Sequence, residues 1–464
     1  GLVRAGVART RLSDPLEPLV IQTVPRALVV GGGIAGLRAA IGLADVGIAA
    51  VLIEREARLG GWVGQFGATF PDDASGAEEV AGLLEEIRAR RDITTYTNAE
   101  LTGKSGTFGN YTVELTLHRD GSDKTLTVDV GSIIVATGFD AYAPEEAEFG
   151  YGMQGVVTLP EFKELVDAAP SGTLTHAGRP VRSIAYVYCV GSRQEAGGNE
   201  YCSKYCCTAT IHASLQVGRI DPSIRQFHLY RDIRTYGRNE LLYNACRDAG
   251  STFLKFADDQ PPAVATLPSG GLGVTITDLL TESRELTIPV DLVVLVTGMV
   301  PRENGGLVGV LKLPVGSDGF FNEIHPKLRP VETVVDGVMI AGSCQSPRTV
   351  GESVAAGLAA VAQSAALLKK GFAELEPLVA RVNPDSCVGA GDCLTACPYD
   401  AITSIEWNGR SIASVDPATC KGCGGCVPVC GRDAIDLLGY TDQQMRAAIE
   451  ELIATAAPVK EAVS

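Results

Sequence analysis

The stretch RALVVGGGIAGLRAAIGLADVGIAAVLIE, residues 26–54, decides the fold. A short apolar strand, Arg26–Val30, runs straight into Gly31-Gly32-Gly33-Ile34-Ala35-Gly36. A helical stretch follows over 37–46, and a second strand, Ala49–Ile53, ends at Glu54, 18 residues beyond Gly36. Strand, G-x-G-x-x-G, helix, strand and acid in this register make a βαβ unit that binds a dinucleotide. Gly31 and Gly33 permit a tight turn and bring backbone N–H groups close to a pyrophosphate, while Gly36 lets helix and strand pack closely. The helix start at Ile34 and Ala35 favours negative charge. Glu54 is placed to accept a hydrogen bond from a ribose hydroxyl.

The rest of the composition bounds the class. A chain of 464 residues has room for about three domains of roughly 150 residues. Lys and Arg number 39 against 55 Asp and Glu, a net charge of −16. That balance argues against nucleic acid or an anionic membrane surface as the main partner. The best apolar run, 291–300 (DLVVLVTGMV), is strand-sized, and none reads as the roughly 18 residues of a membrane helix. Residues 1–15 (GLVRAGVARTRLSDP) have neither the apolar core of a signal peptide nor a Met. A cytoplasmic chain with a processed or truncated start is expected.

Thirteen cysteines, eleven of them in two groups, point away from a disulfide framework and toward metal. The first group, Cys189, Cys202, Cys206 and Cys207, has the spacing C-x12-C-x3-C-C. Soft thiolates in that set suit an iron–sulfur cluster or zinc, but adjacent cysteines and spacing alone leave buried structural thiols open as well. The second group is more specific. Cys420-x2-Cys423-x2-Cys426-x3-Cys430 and Cys387-x5-Cys393-x3-Cys397-Pro398 follow the two-cluster ferredoxin pattern, in which the fourth cysteine of each run serves the other cluster. One 4Fe–4S site is therefore complete: Cys397, Cys420, Cys423 and Cys426. The other has Ala390 where its second cysteine should stand, leaving Cys387, Cys393 and Cys430. This is the ligand set of 3Fe–4S ferredoxins; the alternatives are a 4Fe–4S cluster completed by Asp392 or water, and an empty site. Cys246 and Cys344 read as buried free thiols, and the five histidines show no ligand spacing. Apolar positions Met445, Ile449, Leu452 and Ile453 form a helical stripe expected to pack on the ferredoxin module.

After Glu54 the chain continues as Arg55, then reaches Gly60-Gly61, and the later strand Ser132–Val135 leads into Ala136-Thr137-Gly138. These segments resemble the FAD half of the two-dinucleotide-domain flavoproteins such as thioredoxin reductase. That likeness implies FAD and a closing segment, met by 336–342 (DGVMIAG) and the helix Val350–Leu368. The family usually has Asp after this Ala-Gly; here it is Ser343, beside Gly342. It also implies an inserted nicotinamide domain, whose strand would be 183–188 (SIAYVY). There Cys189-Val190-Gly191 replaces the glycine motif, so nicotinamide binding is expected to be lost. The segments 188–193 (YCVGSR), 200–207 (EYCSKYCC), 232–237 (DIRTYG), 319–333 (GFFNEIHPKLRPVET) and 341–347 (AGSCQSP) are similar to the A-type subunit of heterodisulfide reductase. In that family the first cysteine group holds a 4Fe–4S cluster near the flavin, which implies Cys189, Cys202, Cys206 and Cys207 as ligands here.

The resulting expectation is an α/β, thioredoxin-reductase-like flavoprotein with a C-terminal α+β two-cluster ferredoxin domain. Its boundaries read as a lead-in over 1–25, an FAD domain over 26–150 and 301–370, and a degenerate nicotinamide-type domain with an iron–sulfur cluster over 151–300. A linker over 371–382, a ferredoxin domain over 383–440 and a helical tail over 441–464 complete them. There is no catalytic constellation of side chains to read; the chemistry belongs to the cofactors. The resemblance implies an oxidoreductase subunit that converts flavin two-electron chemistry into one-electron transfer, with electron bifurcation as in methanogenic relatives. The partners implied are an electron-donor subunit, the other subunits of such a complex, ferredoxin, and a second copy within the complex. Benzoyl-CoA reductase of class II, a sulfur-oxidising complex and a stand-alone NAD(P)H flavoenzyme are the alternatives.

Overall fold

The computed structural model describes residues 1–15, 17–119, 121–169, 172–195, 197–268, 270–375 and 377–454. The chain divides into two compact units, Pro25–Lys104 with Val113–Lys369, and Gly1–Val24 with Ser105–Thr112 and Lys370–Ser464.

The larger unit carries one plan twice. Its first sheet is parallel, in the order Val338–Ile340, Ser132–Val135, Arg26–Val30, Ala49–Ile53, Ile93–Tyr96. Its inner strands are mostly Val, Ile, Leu and Ala, as suits a parallel sheet covered on both faces. Val29 lies between Ile134 and Leu52 in register, and all three are fully buried. A second parallel sheet follows the same scheme, ordered Val156–Thr158, Leu292–Thr297, Ser183–Val190, Arg225–Tyr230, Thr252–Lys255. A three-stranded sheet is inserted before Ser132–Val135 in the first half and before Leu292–Thr297 in the second. The antiparallel ribbon of Phe139–Ala141 with Met299–Pro301 joins the two halves, so the second half is an insertion in the first.

The helix Val350–Leu368 amends the sequence reading, since it has 19 residues and a mean hydropathy of 1.3, enough by length and composition to cross a membrane. In this fold it is a core helix. Ser353, Ala356, Gly357, Ala360, Val361, Ser364 and Leu368 form its buried face, at helical spacing. A Cβ at Gly357 would lie 2.7 Å from the Ala35 carbonyl oxygen, so this helix and Ile34–Asp45 meet backbone to backbone.

In the smaller unit, Ala380–Val382 pairs with Ile435–Leu437 and Ile402–Trp407 with Arg410–Val415 around the second cysteine group. The expected lead-in and linker are structured together there. Leu19–Gln22 pairs antiparallel with Phe372–Leu375, and the helix Leu2–Arg11 packs on Asp442–Ala454. The Gln444 side chain donates to the Leu12 carbonyl at 3.2 Å and to Ser13 Oγ at 3.1 Å. The apolar stripe does not bury against the ferredoxin module as expected: Met445, Ile449, Leu452 and Ile453 are 40–66% exposed. The end of the expected tail, 455–464, lies outside the described residues.

The second half also buries a histidine. His228 stacks between Phe253, with centroids 4.5 Å apart, and Tyr186, 4.7 Å away. Its Nδ1 meets the Tyr188 hydroxyl at 2.9 Å and its Nε2 the Ser214 hydroxyl at 3.2 Å. Burial pushes its pKa down to about 3. Unfolded, the ring takes up a proton below about pH 6.5, so the unfolded state binds more protons between that pH and about 3. Stability is therefore lost as pH falls through the window, by roughly 1 kcal/mol per pH unit from this residue. Urea unfolding of the full chain at several pH values should show that slope reduced in His228→Gln.

Candidate functional site

The glycine turn, the ends of the first sheet and the start of the helix Val350–Leu368 enclose a cavity of about 890 Å³ in the larger unit. That volume lies at the upper end of the roughly 300–1,000 Å³ of small-molecule and cofactor sites. Gly33, Ile34, Ala35, Glu54, Gly61, Ala136, Thr137, Gly138 and Ser343, all expected from the sequence, line it. Gly31, Gly36, Arg55, Gly60 and Gly342 do not. Gly31 and Gly36 act one layer down: a Cβ at Gly31 would sit 2.3 Å from the Ala136 oxygen, and one at Gly36 1.9 Å from the Gly31 oxygen. Gly31 also has φ +110°, open to glycine. Arg55 is instead paired with Glu56 at 3.6 Å on the surface.

The residues present fit a flavin dinucleotide. The helix Ile34–Asp45 starts at Gly33 with no side-chain cap, leaving its first N–H groups to an anion at the cavity wall. Glu54 is buried, its two carboxylate oxygens accepting from the N–H of Gly32 at 2.7 Å and of Glu56 at 2.9 Å, which fixes it where a ribose would lie. Thr137 Oγ1 and Arg348 Nε belong to cavity-lining residues and are buried without hydrogen-bond partners, an arrangement that a polar ligand would satisfy.

Several cavity residues escaped the sequence reading because they carry no motif. Trp62 stacks on Phe139 at 5.9 Å, and Phe139 lies 6.4 Å from Tyr205. Arg302 reaches Asp140 at 3.0 Å. His212 is nearly inaccessible and meets Asp73 at 2.7 Å. Desolvation lowers the His212 pKa against the pull of Asp73.

The first thiol group adjoins this cavity. Cys206 and Cys207 occupy the first turn of the helix Cys206–Ile220, whose Ala209 and His212, with the preceding Tyr205, form cavity wall. The Cys206 thiol lies within electrostatic reach of Cys207, Cys189 and Cys202. Its hydrogen bond with Cys207 holds Cys206 up and Cys207 down. Cys189 has φ +66°, a conformation that suits the glycine it replaces. Two residues on, a Cβ at Gly191 would fall 2.0 Å from the Tyr142 ring. The aromatic ring thus packs directly on the Gly191 backbone.

In the smaller unit Cys397, Cys420, Cys423 and Cys426 line one small cavity. Burial pushes the Cys426 thiol up to about 11, with Cys420, Cys423 and Cys397 adding to the rise. Cys393 is raised by burial and by Cys387 and Cys430. Electrostatic influence links Cys426 with Cys420, Cys423 and Cys397, and Cys393 with Cys387 and Cys430. Backbone N–H groups of Ala380, Ala401, Ala413 and Ala434 point at the sulfurs of Cys420, Cys397, Cys387 and Cys430 over 3.3–3.5 Å. Among the described residues no three or more His, Cys, Asp or Glu side chains lie close enough together to hold a metal ion. Cys246 and Cys344 are buried free thiols.

Comparison with known proteins agrees with both halves of this picture. Residues 25–171 match the pyridine nucleotide-disulphide oxidoreductase family and 380–437 the 4Fe-4S dicluster domain. The second A-type iron-sulfur subunit of CoB–CoM heterodisulfide reductase from Methanopyrus kandleri is 31% identical over 89% of this chain and 74% of its own length. The chain belongs to the family of heterodisulfide reductase A-type subunits. The A-type subunit of the H2:CoB-CoM heterodisulfide,ferredoxin reductase from Methanothermobacter marburgensis is 30% identical over 87% of this chain and 73% of that one. Lactococcus lactis thioredoxin reductase covers 75% of this chain and 98% of its own at 15% identity and a TM-score of 0.49. This family member is an oxidoreductase with a flavin-type dinucleotide domain and iron–sulfur modules.

The geometry separates binding from folding. A Cβ at Gly33 meets nothing within 4 Å, so Gly33→Val should keep the melting temperature of flavin-free protein and weaken FAD binding at least tenfold, about 1.4 kcal/mol. Gly36→Ala should instead cost about 1–3 kcal/mol of stability through overpacking. Thermal unfolding with and without added FAD distinguishes the two.

Proposed function

We propose that the chain is the FAD- and iron–sulfur-containing electron-transfer subunit of a heterodisulfide-reductase-like complex. The observation that carries this is the helix Cys206–Ile220, which bears two thiols of the first group and also walls the flavin-type cavity. Bound FAD would supply the exchange between paired and single electrons. The chain's own residues do the rest. The helix start at Gly33–Ala35 and Glu54 hold the dinucleotide, Trp62 and Phe139 exclude water, and Tyr205 spans the short path from cavity to Cys206. Cys189, Cys202, Cys206 and Cys207 would ligate a 4Fe–4S cluster. Cys397, Cys420, Cys423 and Cys426 would hold a second, and Cys387, Cys393 and Cys430 a 3Fe–4S cluster.

Loss of the nicotinamide site follows from two obstructions, Cys189 in place of a glycine and the Tyr142 ring over Gly191. Electrons then enter and leave through protein partners: a donor subunit, further subunits and ferredoxin, in the cytoplasm, with a second copy of the chain in the assembly. The names of relatives, which pair a heterodisulfide with ferredoxin, support this partnership. Bifurcation is a property such a complex could add. Ala390, by denying the third ferredoxin site a cysteine, weighs against a very low-potential exit there.

Anaerobic titration with NADH and then NADPH should leave the flavin absorbance near 450 nm unchanged, whereas dithionite should bleach it. Rapid bleaching by either nucleotide would replace this reading with an autonomous NAD(P)H oxidoreductase.

A further inference from the structure

The strand Arg225–Tyr230 ends beside the first thiol group and runs into Arg231-Asp232-Ile233-Arg234. Arg231 uses its fork on the loop that follows Cys189, donating from Nη1 to the Arg193 carbonyl and from Nη2 to the Ser192 carbonyl, both at 2.9 Å. Burial raises the Cys189 pKa, and the charge of the same guanidinium opposes that rise. The Cys207 thiol donates to the Asp232 carbonyl at 3.9 Å, and the Arg234 charge acts on Cys202 and Cys207. One four-residue segment thus contacts one of the four sulfurs and acts by charge on three.

The charge around it is lopsided. Arg193, Arg234 and Lys255 share Asp232 at 3.0, 3.9 and 3.6 Å, and Arg231 meets Asp258 at 3.5 Å. Four cations therefore face two acids, and Arg193 Nη1 is buried with no partner. Folding alone does not need that excess, because unpaired positive charge near a half-buried loop costs free energy. Four thiolates round an iron–sulfur cluster supply the missing negative charge, and one-electron reduction adds one more unit. Hydrogen bonds to the sulfurs and net charge are the levers by which a protein sets such a potential.

We propose that residues 231–234 form a potential-setting clamp on the first cluster, in which Arg231 and Arg234 position Cys189, Cys202 and Cys207 and favour the reduced state. This rests on the ligand reading given above. Both arginines act through the thiols and are positioning residues. Removing either positive charge makes electron uptake less favourable, so the midpoint potential falls.

The test is an electron paramagnetic resonance redox titration of the full chain with its cofactors. Cys202→Ser identifies the first-cluster signal by its loss or change. Arg231→Gln and Arg234→Gln should each lower the midpoint of that signal by about tenfold in the reduction equilibrium, about 59 mV for a one-electron couple. The ferredoxin-site signals serve as the internal control and should not move. Arg231→Lys and Arg234→Lys keep the charge without the fork and should recover most of the shift; they also serve if a glutamine variant loses iron. Arginine variants with full iron content and a wild-type midpoint would overturn the clamp while leaving the ligands intact. A Cys202→Ser protein that keeps every cluster signal unaltered would overturn the ligand reading, and the clamp with it.

Discussion

Backbone contact at the head of the first βαβ unit governs the larger unit. The approach of Gly36 to the Gly31 carbonyl, and of Gly31 to that of Ala136, leaves no room for a methyl group. Helix start and strand ends are thereby drawn to one point, and the cavity floor there is built largely of main chain. Main-chain N–H groups cannot rotate away as side chains can, so an anion-binding surface made of them is organised before any ligand arrives. The buried Val and Ile runs of the sheet and the close packing of Val350–Leu368 keep that point rigid.

The second half uses the same scaffold for another purpose. Its central strand ends where the first half has Gly31, but the chain turns there through a cysteine with positive φ, a strain of order 1–3 kcal/mol. The adjoining helix begins with Cys206 and Cys207 instead of a glycine-lined anion site. The position of the first half's glycine turn is taken in the second by a turn beside thiols. The two halves meet along the helix Cys206–Ile220, and the distance between the two kinds of site is set by one element.

Much of this was legible in the residues. The first glycine turn, the ferredoxin runs and the substitution at 390 are local patterns whose chemistry depends on spacing, and spacing survives in a sequence. Trp62, His212, Arg302 and Arg348 were not legible because they reach the cavity only through tertiary packing from separate elements. The tail stripe misled for a related reason. Met445, Ile449, Leu452 and Ile453 have helical periodicity, but Gln444 supplies the buried contact to the N-terminal helix. The apolar length of Val350–Leu368 was missed because its glycines, serines and alanines read as a weak run, although their small size lets the helix pack so closely.

The ring over Gly191 bears on how reversible this arrangement is. Restoring a glycine at position 189 would remove a thiol and still leave Tyr142 in the way; shrinking Tyr142 alone would still leave the cysteine. Neither single change reproduces the open glycine turn of the first half, and the first also gives up a sulfur. Positions 142 and 189, 47 residues apart, are thus coupled, and the turn geometry of the first half is reached here only when both change together.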